Sequence, residues 1–175
     1  MRKLFFILIL LPIILFAQEE KKEDVWGPFR YFVGKWEGAG KGCSGESKLK
    51  AEFQFNLNGK YLQVEGKAVF EPQEKNKKGE VHEDLGFVSY DQVRKRFVFR
   101  QFHVEGFVNQ YVMDSLTSDA KTFVFLSESI ENIPPGWRAK STYKILNEKE
   151  FLQIFELAEP GKDFEVYSEN HLKRK

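Results

Sequence analysis

Three histidines, His82, His103 and His171, carry most of the chemistry this chain could do, and they are widely spaced. His82 precedes Glu83 and Asp84, but no second histidine stands at the short spacing of zinc ligands, so a zinc site is not expected. His103, between Phe102 and Val104 and followed by Glu105, reads either as a polar contact in a cavity or as a hydrogen-bonded core histidine. The guanidinium forks of Arg100 and Arg138 suit a carboxylate, but strand parity sets both opposite the aromatic face, toward solvent. There is no Gly-x-Ser-x-Gly, no phosphate loop and no dinucleotide fingerprint. No nucleophile–base pair follows from spacing, so no catalytic residue is assigned.

The other candidates are polar groups set in line with aromatics on alternating segments. Gln101 and His103 share a face with Phe97 and Phe99, and Asn109 and Tyr111 share one with Phe107 and Met113. Ser127 and Ser129 follow Phe123 and Phe125; Ser141 and Tyr143 follow Trp137 and Ala139; Gln153 stands between Phe151 and Phe155. A packed sandwich would keep such faces apolar, whereas polar groups in a mostly apolar wall are the makeup of a small-molecule cavity. The alternatives are that this face points to solvent in places, or that the interior is filled by its own hydrogen-bond network. On the cavity reading the ligand walls are Phe53, Phe55, Phe99, Tyr111, Phe125 and Tyr143 beside Trp36, with Gln101, His103 and Asn109 as polar contacts.

The elements that must position these residues are strands. Period-two alternation bounded by turn residues marks ten: 35–41, 48–56, 61–70, 81–90, 96–104, 107–113, 122–130, 137–145, 150–158 and 164–172. Asn58-Gly59 signals a two-residue hairpin. No long helical pattern intervenes, which excludes parallel crossover units. A ten-strand antiparallel meander avoids two exposed edges by closing, so the expected fold is all-β, a single closed up-and-down barrel. Ahead of it, Trp26 to Val33 has apolar residues at helical spacing with Pro28 in the first turn, suiting a short plug at one barrel end.

The 175 residues fit one domain, with 18 phenylalanines favouring strands and a wide apolar interior. Residues 1–17 read as a signal peptide: Met1-Arg2-Lys3, an apolar run from Leu4 to Phe16, then Ala17 before polar residues. That run is short for a membrane span, so export to the periplasm or beyond is expected, with an uncleaved anchor as the alternative. Residues 18–25 read as a flexible tether and 26–175 as the barrel domain. Net charge is +1, without clustered positive charge beyond the turn-like Lys75-Asn76-Lys77-Lys78 and Arg94-Lys95-Arg96, so nucleic acid is not an expected partner. Cys43 is alone, which leaves no internal disulfide; it reads as a packed strand-end thiol, or else as one paired to another chain.

Gly34-Lys35-Trp36 resembles the Gly-x-Trp that opens the first strand in the lipocalin and fatty-acid-binding superfamily. The resemblance implies that the tryptophan closes the barrel floor and that a basic residue of the last strand, Lys173 or Arg174, packs on it. Trp36-Glu37-Gly38-Ala39-Gly40 and His82-Glu83-Asp84-Leu85-Gly86-Phe87 are similar to two motif segments of the nitrobindins, ten-stranded haem-binding barrels associated with nitric oxide binding and peroxynitrite isomerisation. Gly86-Phe87-Val88-Ser89-Tyr90-Asp91 also looks like a piece of exported bacterial lipocalin-like proteins of unknown function. The nitrobindin likeness implies a haem b cofactor with His171 as axial ligand. Two departures stand against it: Ser89 replaces an arginine, and His171 falls inside the last strand, in parity with Glu169 and Tyr167 and opposite Val166 and Leu172.

Three functions are therefore expected in order: an exported barrel holding a small hydrophobic ligand, a nitrobindin-like haem protein, and an envelope protein that works through its outer face.

Overall fold

A computed structural model describes residues 24–117 and 119–175; the expected signal peptide and most of the tether lie outside them. The described chain begins with a 3₁₀ helix, Gly27–Phe32, which has Pro28 in its first turn. Asp24 supports the turn into it, accepting from the backbone N–H of Trp26 at 3.2 Å. Ten strands follow: β1 (Gly34–Gly42), β2 (Gly45–Asn56), β3 (Tyr61–Phe70), β4 (Glu80–Asp91), β5 (Arg96–His103), β6 (Val108–Leu116), β7 (Thr122–Glu131), β8 (Arg138–Asn147), β9 (Glu150–Ala158) and β10 (Glu165–Arg174). Each pairs antiparallel with its sequence neighbours, and β1 pairs with β10 from Trp36↔Arg174 to Gly42↔Ser168, which closes the barrel. The expected all-β up-and-down barrel and its plug are the observed fold.

Alternation sets the two faces. Along β2, Gly45, Ser47, Leu49 and Phe53 are buried while Glu46, Lys48, Lys50 and Gln54 are exposed. The apolar side is inside and charge lines the outside, the reverse of a barrel with a lipid-facing apolar band. Among the described residues no helix is long and apolar enough to cross a membrane.

The glycines of β1 have a steric reason. Trp36 points inward, so Gly38 and Gly40 do too. A Cβ at Gly38 would overlap the His171 carbonyl, and one at Gly40 would overlap the Asn170 side chain and stand 2.7 Å from Ser47 Oγ. The Trp-x-Gly-x-Gly pattern thus lets β1 lie tight against β10 where the ring closes.

One turn differs from expectation. Asn58-Gly59 does not make a two-residue hairpin: Asn56 pairs with Tyr61, and Leu57 to Lys60 form a four-residue connection in which Leu57, Asn58 and Gly59 all have positive φ. Two-residue turns occur instead at Cys43-Ser44, between the paired Gly42 and Gly45, and at Glu148-Lys149, between the paired Asn147 and Glu150. Cys43 is accordingly exposed at a hairpin tip and is not the packed thiol expected from sequence.

The plug fills one end of the barrel. Phe29 lies 4.5 Å from Phe97 and 5.2 Å from Phe123, ring centre to ring centre, and Phe32 lies 5.2 Å from Phe123 and 5.3 Å from Phe151. Trp36 is fully buried, donating from its indole nitrogen to the Phe32 carbonyl at 2.6 Å. The Arg174 guanidinium sits 4.2 Å over the Trp36 ring and donates to the carbonyls of Tyr31 and Val33, the latter at 2.7 Å. The basic residue expected over the tryptophan is therefore Arg174.

Candidate functional site

The interior divides into two halves. Around the plug the inward side chains leave a void of only about 20 Å³, lined by Phe53, Phe99, Phe125 and Tyr143 among others. These four, expected as ligand walls, are core: the plug's phenylalanines occupy the space a ligand would need. Trp36 lies beneath Arg174, and Phe55 packs on Trp26 at 5.3 Å; neither lines the interior cavity at the opposite end of the barrel.

Toward the other end the barrel opens into a cavity of about 630 Å³. Leu49, Ala68, Phe70, Phe107, Ile130, Trp137, Phe155 and Leu172 contribute apolar wall, and Gln101, His103 and Asn109 also line it. The cavity also receives residues the sequence reading left out of the site: His82, Asp84, Gln153, Ser168 and Asn170.

The polar groups form hydrogen-bonded runs. Gln101 donates to Asp84 at 2.7 Å. Asn170 donates to Gln153 at 2.9 Å, and Gln153 to Ser141 at 3.3 Å. The longest run crosses three strands, β6, β5 and β4, and ends in the turn after β5. Asn109 Nδ2 donates to the Tyr111 hydroxyl at 2.9 Å and lies 3.2 Å from His103 Nε2; His103 Nδ1 lies 3.4 Å from His82 Nε2; His82 Nδ1 lies 2.7 Å from Glu105 Oε1. With Asn109 donating, both imidazoles carry their proton on Nδ1, and the bonds from Asn109 through His103 and His82 all point toward Glu105. Phe107 stacks on His103 at 4.1 Å and holds its ring plane. Among the described residues no buried side-chain nitrogen or oxygen lacks a partner. Tyr111, fully buried, is the floor beneath Asn109 and not an open wall.

Burial sets the protonation of His103 in this belt. It lowers the His103 pKa to about 4, with the nearby His82 adding to the fall, so the ring is neutral near pH 7. Burial raises the Asp84 carboxyl, against the pull of the Gln101 hydrogen bond. Burial also raises both phenols, Tyr111 and Tyr143.

The proximity of His82 and His103 overturns the spacing argument against a second histidine. Asp84 pairs with His103 across β4 and β5, so His82, two residues along β4 on the same face, meets residues 103 and 105 at the strand end. Only the register shows this. His171, by contrast, faces outward: its side chain is 44% exposed, its Nε2 lies 3.3 Å from Glu150, and it borders an outer groove with Leu152 and Glu169. Its parity with Glu169, which borders the same groove, agrees with that outward course. Haem held through His171 inside the barrel does not fit this geometry. Arg100 is exposed, and Arg138 stacks outside on Phe164 at 4.8 Å.

No protein-family model and no curated protein sequence matches this chain. Among solved structures, the crystal structure of Rv2717c from M. tuberculosis superposes with a TM-score of 0.64 at 16% identity, over 87% of this chain and 98% of that one. A de novo designed fluorescence-activating β-barrel gives 0.44 at 13% identity, over 83% and 95%. At these identities the first likeness is one of fold: the chain is a closed ten-strand antiparallel barrel of the architecture Rv2717c shares.

Proposed function

We propose that this protein is an exported binding barrel whose open half holds a small, largely apolar molecule with an uncharged hydrogen-bonding head. The observation that carries the reading is the 630 Å³ cavity with a largely apolar wall and a polar floor of Gln101, His103, Asn109, Gln153 and Asn170. Its size is that of small-molecule sites, and a few convergent polar groups in an apolar wall are what orient such ligands. The lysines that border the cavity, Lys41, Lys50 and Lys67, have exposed side chains, and Lys67 is engaged by Glu83 at 2.7 Å. The floor therefore favours an amide, alcohol or heterocycle over a carboxylate, which calls for a fixed cation. Export rests on the basic and apolar leader of residues 1–17.

Titration with Nile red, a neutral solvent-sensitive dye, tests the reading. Saturable binding is expected, and Ala68→Trp, which fills the cavity from β3, should abolish it while the barrel stays folded. Equal binding by the filled variant would refute the assignment. A haemin titration separates the ferric-haem alternative: a Soret shift that disappears in His103→Ala would replace the neutral ligand by haem. Native mass spectrometry of what co-purifies would identify the ligand class directly.

A further inference from the structure

We propose that His82, His103 and Glu105 form a binding site for a divalent first-row transition ion, Zn²⁺ foremost, in the cavity wall. One donor atom from each of the three lies within 4.8 Å of the others, and together they make a His₂Glu set that Zn²⁺ accepts with a position left open.

The geometry of the imidazole pair is specific. His82 Nε2 and His103 Nδ1 face each other at 3.4 Å, long for a hydrogen bond between two rings. Two nitrogens each about 2.0–2.1 Å from a tetrahedral ion stand about 3.3–3.4 Å apart, so the gap matches the bite of one metal. The surroundings are those of a prepared ligand pair. Before an ion binds, Glu105 holds the His82 Nδ1–H at 2.7 Å, which turns the Nε2 lone pair into the gap. Phe107 fixes the plane of His103 from 4.1 Å. Gln101 donates to the Asp84 carboxyl at 2.7 Å on the same wall, which keeps that group engaged beside the imidazole pair.

Binding requires one tautomer change and no net loss of protons from the imidazoles. The His103 proton moves from Nδ1 to Nε2. The Asn109 amide turns round, so that Oδ1 accepts from His103 Nε2–H and from the Tyr111 hydroxyl. The ion then takes His82 Nε2 and His103 Nδ1. Glu105, whose side chain is 48% exposed at the strand end, is free to swing from His82 Nδ1 to supply an oxygen. The fourth position faces the cavity and takes water. Imidazole and carboxylate together favour Zn²⁺, Cu²⁺, Ni²⁺ or Co²⁺ over Ca²⁺ and Mg²⁺. The site does not depend on which organic molecule the cavity holds.

The test is titration of tag-free protein with Co²⁺, followed by displacement with Zn²⁺. One equivalent should give visible d–d bands of four-coordinate intensity, and Zn²⁺ should remove them. His82→Gln and His103→Gln should each abolish the bands, Glu105→Gln should weaken affinity by about 10–100-fold, and His171→Gln should change nothing. Should the histidine variants unfold, the readout becomes melting temperature: Zn²⁺ should raise it in the wild type and raise it less in Glu105→Gln. No saturable binding, binding that survives both histidine variants, or binding lost in His171→Gln would overturn the proposal.

Discussion

The two halves of the barrel are made by the same strands and are built for opposite purposes. Along β5, Phe97 and Phe99 point into the packed end and Gln101 and His103 into the open one. Along β6, Tyr111 belongs to the buried floor and Asn109 to the cavity. Along β9, Phe151 meets the plug while Gln153 and Phe155 line the opening. One half leaves about 20 Å³ unfilled and the other about 630 Å³. Inward orientation and site membership are therefore separate properties. Depth along the strand decides between them, and the plug sets where the division falls.

Paired truncations are the harshest trial of that division. Phe123→Ala, at a fully buried position touching Phe29 and Phe32, should lower stability by about 3–5 kcal/mol in a urea titration. Phe155→Ala, half-buried at the open end, should cost less than about 1.5 kcal/mol and weaken Nile red binding. Equal losses would mean that the two halves are one core.

Acid should strain the open half first. The folded His103 pKa near 4 is below the ordinary 6.5, so the unfolded chain takes up the proton more readily as pH falls. Stability intact above pH 6.5 should therefore decline toward pH 4, by on the order of 2–3 kcal/mol from this group. Asp84 opposes the loss: its raised pKa means that protonation below the folded value favours the native state. His103→Gln should thus flatten or reverse the decline when measured with a chelator present. An unchanged pH profile would show that His103 is not held neutral by its surroundings.

At the closed end, Arg174→Ala removes two charge-assisted bonds to the plug carbonyls and the contact over Trp36. A loss of about 2 kcal/mol is expected, with a change in tryptophan emission and little effect on dye affinity. The smallest effect should come from Asn170→Ala, which leaves Gln153 short of one donor. About 1 kcal/mol of stability or less should be lost, while dye affinity falls.

Much of this was readable in the residues themselves. Alternation located all ten strands to within about three residues at each end, because one buried face writes a period of two into the sequence. It also put Gln101, His103 and Asn109 on the inner face, and parity put His171 on the outer one. What alternation cannot carry is depth and register. Phe53, Phe99, Phe125 and Tyr143 read the same whether a plug or a ligand fills the space against them. His82 and His103, 21 positions apart, meet only because Asp84 is opposite His103 in the ladder. Asn58-Gly59 misled because Leu57 also adopts positive φ, which lengthens the connection to four residues.

The pairing of β1 with β10 has a consequence for biosynthesis. Trp36 meets Ala51 early, but its second ladder partner is Arg174, so the opening strand must wait while the intervening strands are translated. Until then β1 has one neighbour and a bare edge, and the hairpins that follow it form an unsealed ribbon. Such long-range pairing is slow to form, which makes the nascent ribbon a natural client for chaperones that shield strand edges.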